Sequence, residues 1–247
     1  MNIPVVFQDD CLLVINKPSG IVVNRSESTK GQTLQDWIEN TYKTNFNLYS
    51  VDQNSGTDDF KDRSGVVHRL DKDTSGLLII ALNYVSFTNL QRQFYDRIVE
   101  KKYLTLVHGK MQSVMGTIKA PVGRLPWDRQ KFGVISSGRE AETSFKAMSY
   151  YSNNNAVFSL LDITPHTGRT HQIRIHLKYY GYPVVSDRLY CGRVRYKDDL
   201  KFCSRLFLHA YYLKFRHPAK NSWIELRTDL PEELKNVLDS INKVDLY

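Results

Sequence analysis

The stretch GVVHRLDKDTSGLLIIALN, residues 65–83, combines two opposite patterns. Residues 76–82 form an apolar run of strand length, which predicts a strand that is buried on both faces. The loop before this run holds seven polar or charged side chains: His68, Arg69, Asp71, Lys72, Asp73, Thr74 and Ser75. A loop at the edge of a rigid sheet can hold reactive groups in place. A charged loop that only caps the strand is compatible with the same pattern.

Composition narrows the class of protein. The 247 residues are 41% hydrophobic and 24% charged, which is enough apolar material for a sizeable core. The formal net charge of +8 favours a polyanionic partner, nucleic acid or an anionic membrane, over a neutral metabolite. The first ten residues lack a signal-peptide pattern, no apolar run approaches the roughly 18 residues of a membrane span, and three cysteines without a close pair do not form a disulfide framework. We predict a cytoplasmic protein without a membrane partner, and we take it to be a monomer.

Hydrophobic periodicity places the other elements along the chain. Strands are predicted over 3–8, 11–16, 101–109, 140–149, 156–164, 206–215 and 222–227, and helices over 33–43, over 171–181 and from Pro231 onward. The sequence PSG, residues 18–20, is predicted to break the strand over 11–16, and Thr33 to be the N-cap of the helix over 33–43. Four apolar residues at helical spacing predict one more helix: Phe87, Leu90, Phe94 and Ile98. Residues 44–64 are predicted to be a polar surface excursion. Many strands without regular strand–helix alternation predict an α+β fold on a mixed, mostly antiparallel sheet, with residues 1–247 as one domain.

Several kinds of site have no support in the sequence. There is no phosphate loop and no GxGxxG, so no nucleotide cofactor is expected, and no G-x-S-x-G elbow of a serine hydrolase. His166, His171 and His176 are five residues apart, a spacing that turns them to different faces of a helix or a strand. We therefore predict that the protein uses no metal and no cofactor. Asp71 and Asp73 could form a glycosidase-type pair, but their separation on one loop is poor for flanking a glycosidic bond.

A second candidate segment is TPHTGRTHQIRIH, residues 164–176, which contains Arg169 and Arg174. A plain interpretation of 171–178 is an amphipathic helix. In that interpretation the solvent face is His171, Arg174 and Lys178, and the buried residues are Ile173, Leu177 and Tyr180. Spacing alone does not decide between this interpretation and a functional role.

Five blocks, in order, resemble the RluA-type family of RNA pseudouridine synthases. They are FQDDCLLVINKPSGIVV (7–23), VVHRLDKDTSGLLIIA (66–81), EKKYLTLVHG (100–109), TPHTGRTHQIRIHLKYYGYPVVSDRLY (164–190) and LFLHAYYLKFRHP (206–218). Ordered blocks over nearly the whole chain are more specific than one motif. The resemblance implies the fold of that catalytic domain and the isomerisation of specific uridines to pseudouridine in structured ribosomal or transfer RNA. It also implies that the polar loop is an active-site loop.

Residue roles follow from the matching positions. Asp71 is implied to be the catalytic aspartate, acting either on the sugar or as a base, and Arg174 the opposite charge that keeps a buried carboxylate ionised. Tyr103 is implied to stack on the target base, and Arg69 to fill the space that the flipped nucleotide leaves. Lys17 is predicted to be a wall of the site or a phosphate ligand, with a surface lysine before a turn as the alternative. Two more residues are predicted to bind substrate: His68 and Arg169.

Some features depart from the family pattern. The sequence starts directly with the catalytic domain, so we expect no separate N-terminal RNA-binding domain. Ser186 stands where the family usually has glycine, a change we expect to be tolerated. The basic loop GRLPWDRQKFG, residues 123–133, mixes cations with an aromatic ring. Four of its residues are predicted to contact the RNA backbone and a base: Arg124, Trp127, Arg129 and Lys131. The alternatives are a non-catalytic RNA-binding or RNA-chaperone protein that keeps the fold, and an N-glycoside hydrolase.

Overall fold

The computed structural model of the chain describes residues 1–26, 29, 31–42, 57–153, 156–220 and 222–244, with backbone alone at 57, 58, 129 and 130. It divides into two compact units. The first unit is Met1–Glu100 with Tyr212–Thr228, and the second unit is Lys101–Tyr211 with Asp229–Tyr247. Among the described residues, no helix is both long and apolar enough to cross a membrane.

The elements of the described residues follow in chain order. The strands are β1 (Val5–Gln8), β2 (Leu12–Lys17), β3 (Ser75–Ala81), β4 (Glu100–His108), β5 (Met115–Lys119), β6 (Val122–Leu125), β7 (Asp128–Val134), β8 (Glu142–Asn153), β9 (Ala156–Pro165), β10 (Leu208–Arg216), β11 (Trp223–Arg227) and β12 (Asn242–Val244). The helices are α1 (Leu34–Thr41), α2 (Thr57–Asp62), α3 (Tyr84–Tyr95), α4 (Gln172–Tyr179), α5 (Arg193–Asp199) and α6 (Glu232–Ser240). This mixture of strands and helices confirms the predicted α+β class.

The first unit is built on the antiparallel strands β1, β2 and β3, in that order. Every residue of β3 is buried, as its apolar run predicts. Leu77 and Ile79 of β3 share one core cluster with Phe87 and Leu90 of α3. The apolar run of β3 is continuous because the strand is buried on both faces, so it lacks the alternation of a half-exposed strand.

Two helices of the first unit test the predictions for 33–43 and 44–64. α1 begins after Thr33, whose hydroxyl accepts from the Asp36 amide at 3.2 Å while the Thr33 amide donates to the Asp36 carboxylate at 2.7 Å. This capping box confirms the predicted N-cap. The prediction that 44–64 is a surface excursion is wrong at its C-terminal end, where α2 forms. Phe60 of this helix is buried and packs edge-on against Phe87, with ring centroids 5.4 Å apart. Residues 43–56 lie outside the described part of the chain.

The second unit is built on antiparallel strands in the order β4, β9, β8, β12, with β5 also paired to β8. α6 packs Leu234 and Val237 into a cluster with Leu106 of β4 and Phe158 of β9. α4 follows β9 and ends before Gly181, whose φ of +95° is the left-handed conformation that favours glycine. The predicted strands and helices of this unit are confirmed, whereas β5, β12 and α5 were not predicted.

The basic segment 123–133 corrects one prediction. It is not a loop but a β-hairpin, in which β6 pairs with β7 and Leu125 faces Asp128 across a turn at Pro126 and Trp127. The two strands were not predicted because their sequence is rich in charged residues and lacks the alternation of apolar and polar residues that indicates a strand.

Candidate active site

Lys17 lies at the end of β2, where its register partner is Gly76 at the start of β3. Its side chain is wholly buried. The ammonium group donates to three backbone carbonyls, those of Pro18 at 2.9 Å and of Ile21 and Lys72 at 3.1 Å. A buried ammonium is stable only where its donors are satisfied, and carbonyls do that here. The alternative of a surface lysine is therefore wrong.

The segment after Asp71 is tied to the turn that follows β2. The carbonyl of Lys72 accepts from the Gly20 amide at 2.9 Å as well as from Lys17, and the carbonyl of Asp73 accepts from the Ser19 hydroxyl at 2.8 Å. Gly20 adopts φ +87°, a conformation in which a side chain would be strained. These contacts fix the backbone immediately after Asp71. The sequence PSG, predicted only to break the strand, therefore also anchors the polar loop.

His68 begins the same loop and is held by β3. Its Nε2 accepts a hydrogen bond from the Ile79 amide at 2.9 Å, so Nε2 carries no proton. Its ring stacks on Phe94 of α3, with centroids 4.5 Å apart and an interplanar angle of 28°. His68 therefore orients the start of the loop against the sheet.

Asp71 itself is half-buried, whereas Arg69 and Asp73 are exposed. The Asp71 carbonyl accepts from the Thr74 amide at 3.2 Å, which closes a tight turn. Thr74 is 2% exposed, and its hydroxyl has no hydrogen-bond partner among the described residues. An unsatisfied buried hydroxyl costs stability and often marks a functional position. The loop therefore holds one carboxylate of intermediate burial and, three residues further on, a buried hydroxyl without a partner among the described residues.

In the second unit, Arg174 of α4 is 5% exposed and forms a bidentate pair with Asp187. Its Nε and one terminal nitrogen each lie 2.8 Å from an Asp187 oxygen. One of those oxygens also accepts from the amides of Leu189 and Tyr190, at 3.0 and 3.2 Å. The amphipathic-helix alternative is wrong on two points, since Arg174 is buried and Tyr180 is 47% exposed.

Tyr190 connects this pair to its surroundings. The Arg174 guanidinium lies 5.0 Å from the centroid of the Tyr190 ring. The Tyr190 hydroxyl lies 2.8 Å from Nδ1 of His171 and 3.3 Å from the Phe132 amide of β7. Arg124 of β6 lies over the Phe132 ring at 4.9 Å. The β6–β7 hairpin and the buried arginine therefore belong to one network of contacts within the second unit.

The other predicted residues of the second unit occupy different positions. Tyr103 lies on β4 opposite Ile163 and is 9% exposed. Arg169 precedes α4, where its Nε donates to the Glu140 carbonyl at 3.2 Å and its amide donates to the Gln172 side chain at 3.0 Å. The structure thus gathers Lys17, His68, Arg69 and Asp71 in the first unit, and holds Tyr103, Arg169 and Arg174 in the second.

The predicted RNA contacts lie on the β6–β7 hairpin. Trp127 is 77% exposed at its tip, and Arg124 is exposed on β6. Lys131 pairs with Asp128 at 3.1 Å, which reduces its local charge. The side chain of Arg129 is not among those that the structure describes.

One group of three side chains in the described part of the chain has ligand atoms close enough for a metal ion: Asp9, Cys11 and His217. His217 Nε2 lies 2.6 Å from Asp9, and His217 Nδ1 accepts from the amides of Ala219 and Lys220, both at 3.0 Å. Because Nδ1 is an acceptor, the proton of a neutral ring is on Nε2, which donates it to Asp9. A metal would have to displace that proton. Hydrogen bonds account for this cluster, which joins the β1–β2 turn to the β10–β11 turn.

Comparison with known proteins shows the family of the chain. Residues 11–179 match the family model described as RNA pseudouridylate synthase. The chain belongs to this family. It is 37% identical over 241 residues to an uncharacterized RNA pseudouridine synthase of Aquifex aeolicus, a match that covers 96% of this chain and 72% of that protein. It is 34% identical over 241 residues to ribosomal large subunit pseudouridine synthase D of Pseudomonas aeruginosa, with 94% of this chain and 70% of that protein covered.

The solved structure of human RNA pseudouridylate synthase domain containing 1 has the same fold. Its TM-score is 0.73 at 26% identity, and the match covers 100% of this chain and 90% of the human chain. The resemblance to RluA-type enzymes and the predicted pseudouridine synthase fold are therefore confirmed. This pseudouridine synthase is an isomerase that converts uridine in RNA to pseudouridine.

Sequence reasoning named Thr74 only as one polar residue of the loop, and it did not single out Asp187 or Tyr190. Asp187 and Tyr190 lie in the block YPVVSDRLY, where an acid one residue after a short apolar run is compatible with a buried, paired carboxylate. Ser186, which stands where the family usually has glycine, has φ +56°. This is the left-handed backbone conformation that favours glycine. The Ser186 amide donates to Asp199 at 2.7 Å and helps to hold the serine in this conformation.

Proposed function

We propose that this pseudouridine synthase isomerises specific uridines in structured ribosomal RNA, with Asp71 as the catalytic carboxylate. The observation that carries the proposal is the fixed backbone around Asp71, where Lys17, Ser19 and Gly20 bind the carbonyls of residues 72 and 73. A reacting carboxylate must be held close to its productive geometry, and a loop clamped to a buried sheet provides this. Relatives named for the large ribosomal subunit favour ribosomal RNA over transfer RNA.

The reaction needs an ionised carboxylate and a reachable glycosidic bond. The bond from the base nitrogen to the ribose breaks, the uracil turns, and a ring carbon joins the sugar in its place. The proton on that carbon is lost and the freed nitrogen gains one, so the product is an isomer. Asp71 either attacks the sugar or removes a proton from it. Because a stacked, paired uridine hides this bond, the target nucleotide must leave the stack, and we assign Arg69 to the space it vacates.

Arg174 is proposed to be the cation that keeps Asp71 ionised during the reaction. A guanidinium carries five donors in a rigid fork, so it can bind a second carboxylate beside Asp187. Asp187 fixes the orientation of the fork through two hydrogen bonds of 2.8 Å. In this proposal Asp187 is a positioning residue.

Tyr103 is proposed to stack on the flipped uracil through its ring and to handle a proton through its hydroxyl in the late steps. His68 supports the loop, as its hydrogen bond to β3 suggests. Arg169 is proposed to bind the RNA backbone near the start of α4. Lys17 is proposed to act as a wall of the site that holds the carbonyls of the loop.

The β6–β7 hairpin is proposed to hold the RNA outside the reacting nucleotide. Its exposed tip carries Trp127, an aromatic surface on which a base can stack. Arg124, Arg129 and Lys131 supply cations for phosphates, and each such contact steepens the decrease of affinity with salt.

The direct test is carbodiimide mapping of pseudouridine in ribosomal and transfer RNA from cells with and without this protein. We expect at least one ribosomal site to lose its signal in the deletion and to regain it on complementation. A signal lost only in transfer RNA would refute the ribosomal assignment. Purified protein that releases free uracil from RNA would instead indicate an N-glycoside hydrolase.

A further inference from the structure

The β10–β11 hairpin of the first unit packs one face on the core. The other face is exposed except at Tyr212, which is 6% exposed, and Lys214, which is half-buried. Leu213 and Phe215 of β10 belong to the core of the unit, and Ile224 and Leu226 of β11 pack against that core. The alternate residues point to the other side, because successive side chains of a strand alternate between faces. We call this side the β10–β11 face, and its residues are Tyr212, Lys214, Arg216, Trp223, Glu225 and Arg227.

The β10–β11 face arranges cations around aromatic rings. Trp223, which is 49% exposed, is the register partner of Arg216. The Lys214 ammonium and the Arg216 guanidinium each lie 5.1 Å from the centroid of the Trp223 ring. Arg227 lies 5.1 Å from the centroid of the Tyr212 ring, its own register partner. Three cation–π contacts on one two-stranded ladder hold the long cationic side chains close to the aromatic surfaces.

The charge of this face is positive but moderated. Lys214 lies 3.6 Å from Glu100, and Arg227 lies 2.9 Å from Glu225. Both pairs are solvent-exposed and therefore weak, and salt screens them further. A polyanion that brings phosphates to Lys214, Arg216 and Arg227 can replace such exposed partners at small cost.

We propose that the β10–β11 face binds a single-stranded segment of the RNA substrate, with a base stacked on Trp223 and phosphates at Arg216 and Lys214. The proposal rests on the proposed function only in taking RNA as the substrate. Charge complementarity favours RNA, since an exposed indole bordered by cations offers both contacts that a single strand makes, stacking and phosphate neutralisation. Stacking tolerates any base, so this face adds affinity without reading sequence. It is a different surface from the β6–β7 hairpin, which belongs to the second unit.

The first test measures binding of a 5′-fluorescein-labelled, 15-nucleotide oligouridylate by fluorescence anisotropy. Trp223→Ala is expected to weaken binding about 5-fold or more, the lower end of the effect of losing one base stack. Trp223→Phe should stay within about 2-fold of the wild type, because a ring remains. The control is Tyr95→Ala, which removes an aromatic ring that is 87% exposed in the same unit but outside the face. Wild-type affinity for Trp223→Ala, or an equal loss for Tyr95→Ala, would overturn the proposal.

A second measurement does not depend on the folding of Trp223→Ala. In Trp127→Phe the remaining tryptophans are Trp37, which is 8% exposed, and Trp223. Oligouridylate should quench the fluorescence of Trp127→Phe, and the quenching should disappear in Trp127→Phe/Trp223→Phe. Arg216→Ala should also flatten the slope of log affinity against log salt by about 0.7, the value for one phosphate contact to a single strand. Absence of quenching in Trp127→Phe would overturn the proposal. Pseudouridine formation by the wild type, measured in parallel, reports separately on the proposed function.

Discussion

Asp187→Asn is expected to lower the free energy of unfolding by about 3–5 kcal/mol, the usual cost of breaking a buried ion pair from one side. Asp187 and Arg174 have side-chain exposures of 0% and 5%, so solvent cannot replace the lost partner. Asparagine keeps the size of the side chain, but one oxygen becomes an NH2 group that faces a guanidinium donor. The remaining oxygen can still accept from the amides of Leu189 and Tyr190. The loss therefore falls mainly on the charge and on one of the two hydrogen bonds to Arg174.

The assay is thermal unfolding of the purified variant, followed by circular dichroism. In a chain of this length each kcal/mol shifts Tm by about 2–4 °C, so we expect Tm to fall by about 6–20 °C. Glu233→Gln is the matched control, since it removes one charge of the Arg205–Glu233 pair, in which Glu233 is 50% exposed. That variant should lose less than about 1 kcal/mol. A loss for Asp187→Asn that equals the loss for Glu233→Gln would refute the reasoning that the Arg174 pair is a fixed, buried element of the site.

Variants at three other positions probe separate parts of the molecule. Tyr103→Phe should bind RNA almost normally but form pseudouridine slowly, and Tyr103→Ala should lose both RNA affinity and activity. Full single-turnover activity of Tyr103→Phe would show that the mechanism does not use the hydroxyl. Burial, with the nearby charge of Arg205, lowers the pKa of His209 to about 4. As pH falls, the unfolded state therefore binds a proton on this histidine before the folded state does, and about 3 kcal/mol of stability present above pH 6.5 is lost as pH falls towards 4. His209→Gln should make the free energy of unfolding less dependent on pH in this range. An unchanged pH dependence would assign the loss of stability to other groups. Thr74→Val should raise the free energy of unfolding, measured by urea titration, by about 1 kcal/mol. The reason is that a methyl group replaces a buried hydroxyl without a partner among the described residues. A decrease in the free energy of unfolding would mean that the hydroxyl has a hydrogen-bond partner.

The strands around the polar loop could be predicted because local patterns define them. The apolar run of β3, the strand break after Lys17 and the cap at Thr33 are each signalled within a few residues, and all three are confirmed. The hairpin β6–β7 could not be predicted, because its two strands carry charges instead of an alternating apolar face. α2 was missed for a related reason, since Phe60 alone marks its buried side.

The environments of the site residues depend on long-range contacts that no local pattern encodes. Lys17 is buried because three carbonyls converge on it, one of them 55 residues away in sequence. Arg174 is buried because Asp187, 13 residues further on, forms a bidentate pair with it. A lysine or an arginine looks the same in a sequence whether solvent or a carbonyl cage surrounds it. The identity of the candidate residues could thus be predicted, whereas their burial and partners required the fold.

The most direct test of the account is single-turnover pseudouridine formation on ribosomal RNA by Asp71→Asn, with Asp73→Asn as the matched control. Both variants neutralise one carboxylate of the same loop, and Asp73 is exposed two residues further on. The account predicts that Asp71→Asn forms no pseudouridine while its Tm and RNA affinity stay close to those of the wild type, and that Asp73→Asn remains active. Appreciable product from Asp71→Asn would contradict the central claim and assign the chemistry to another residue.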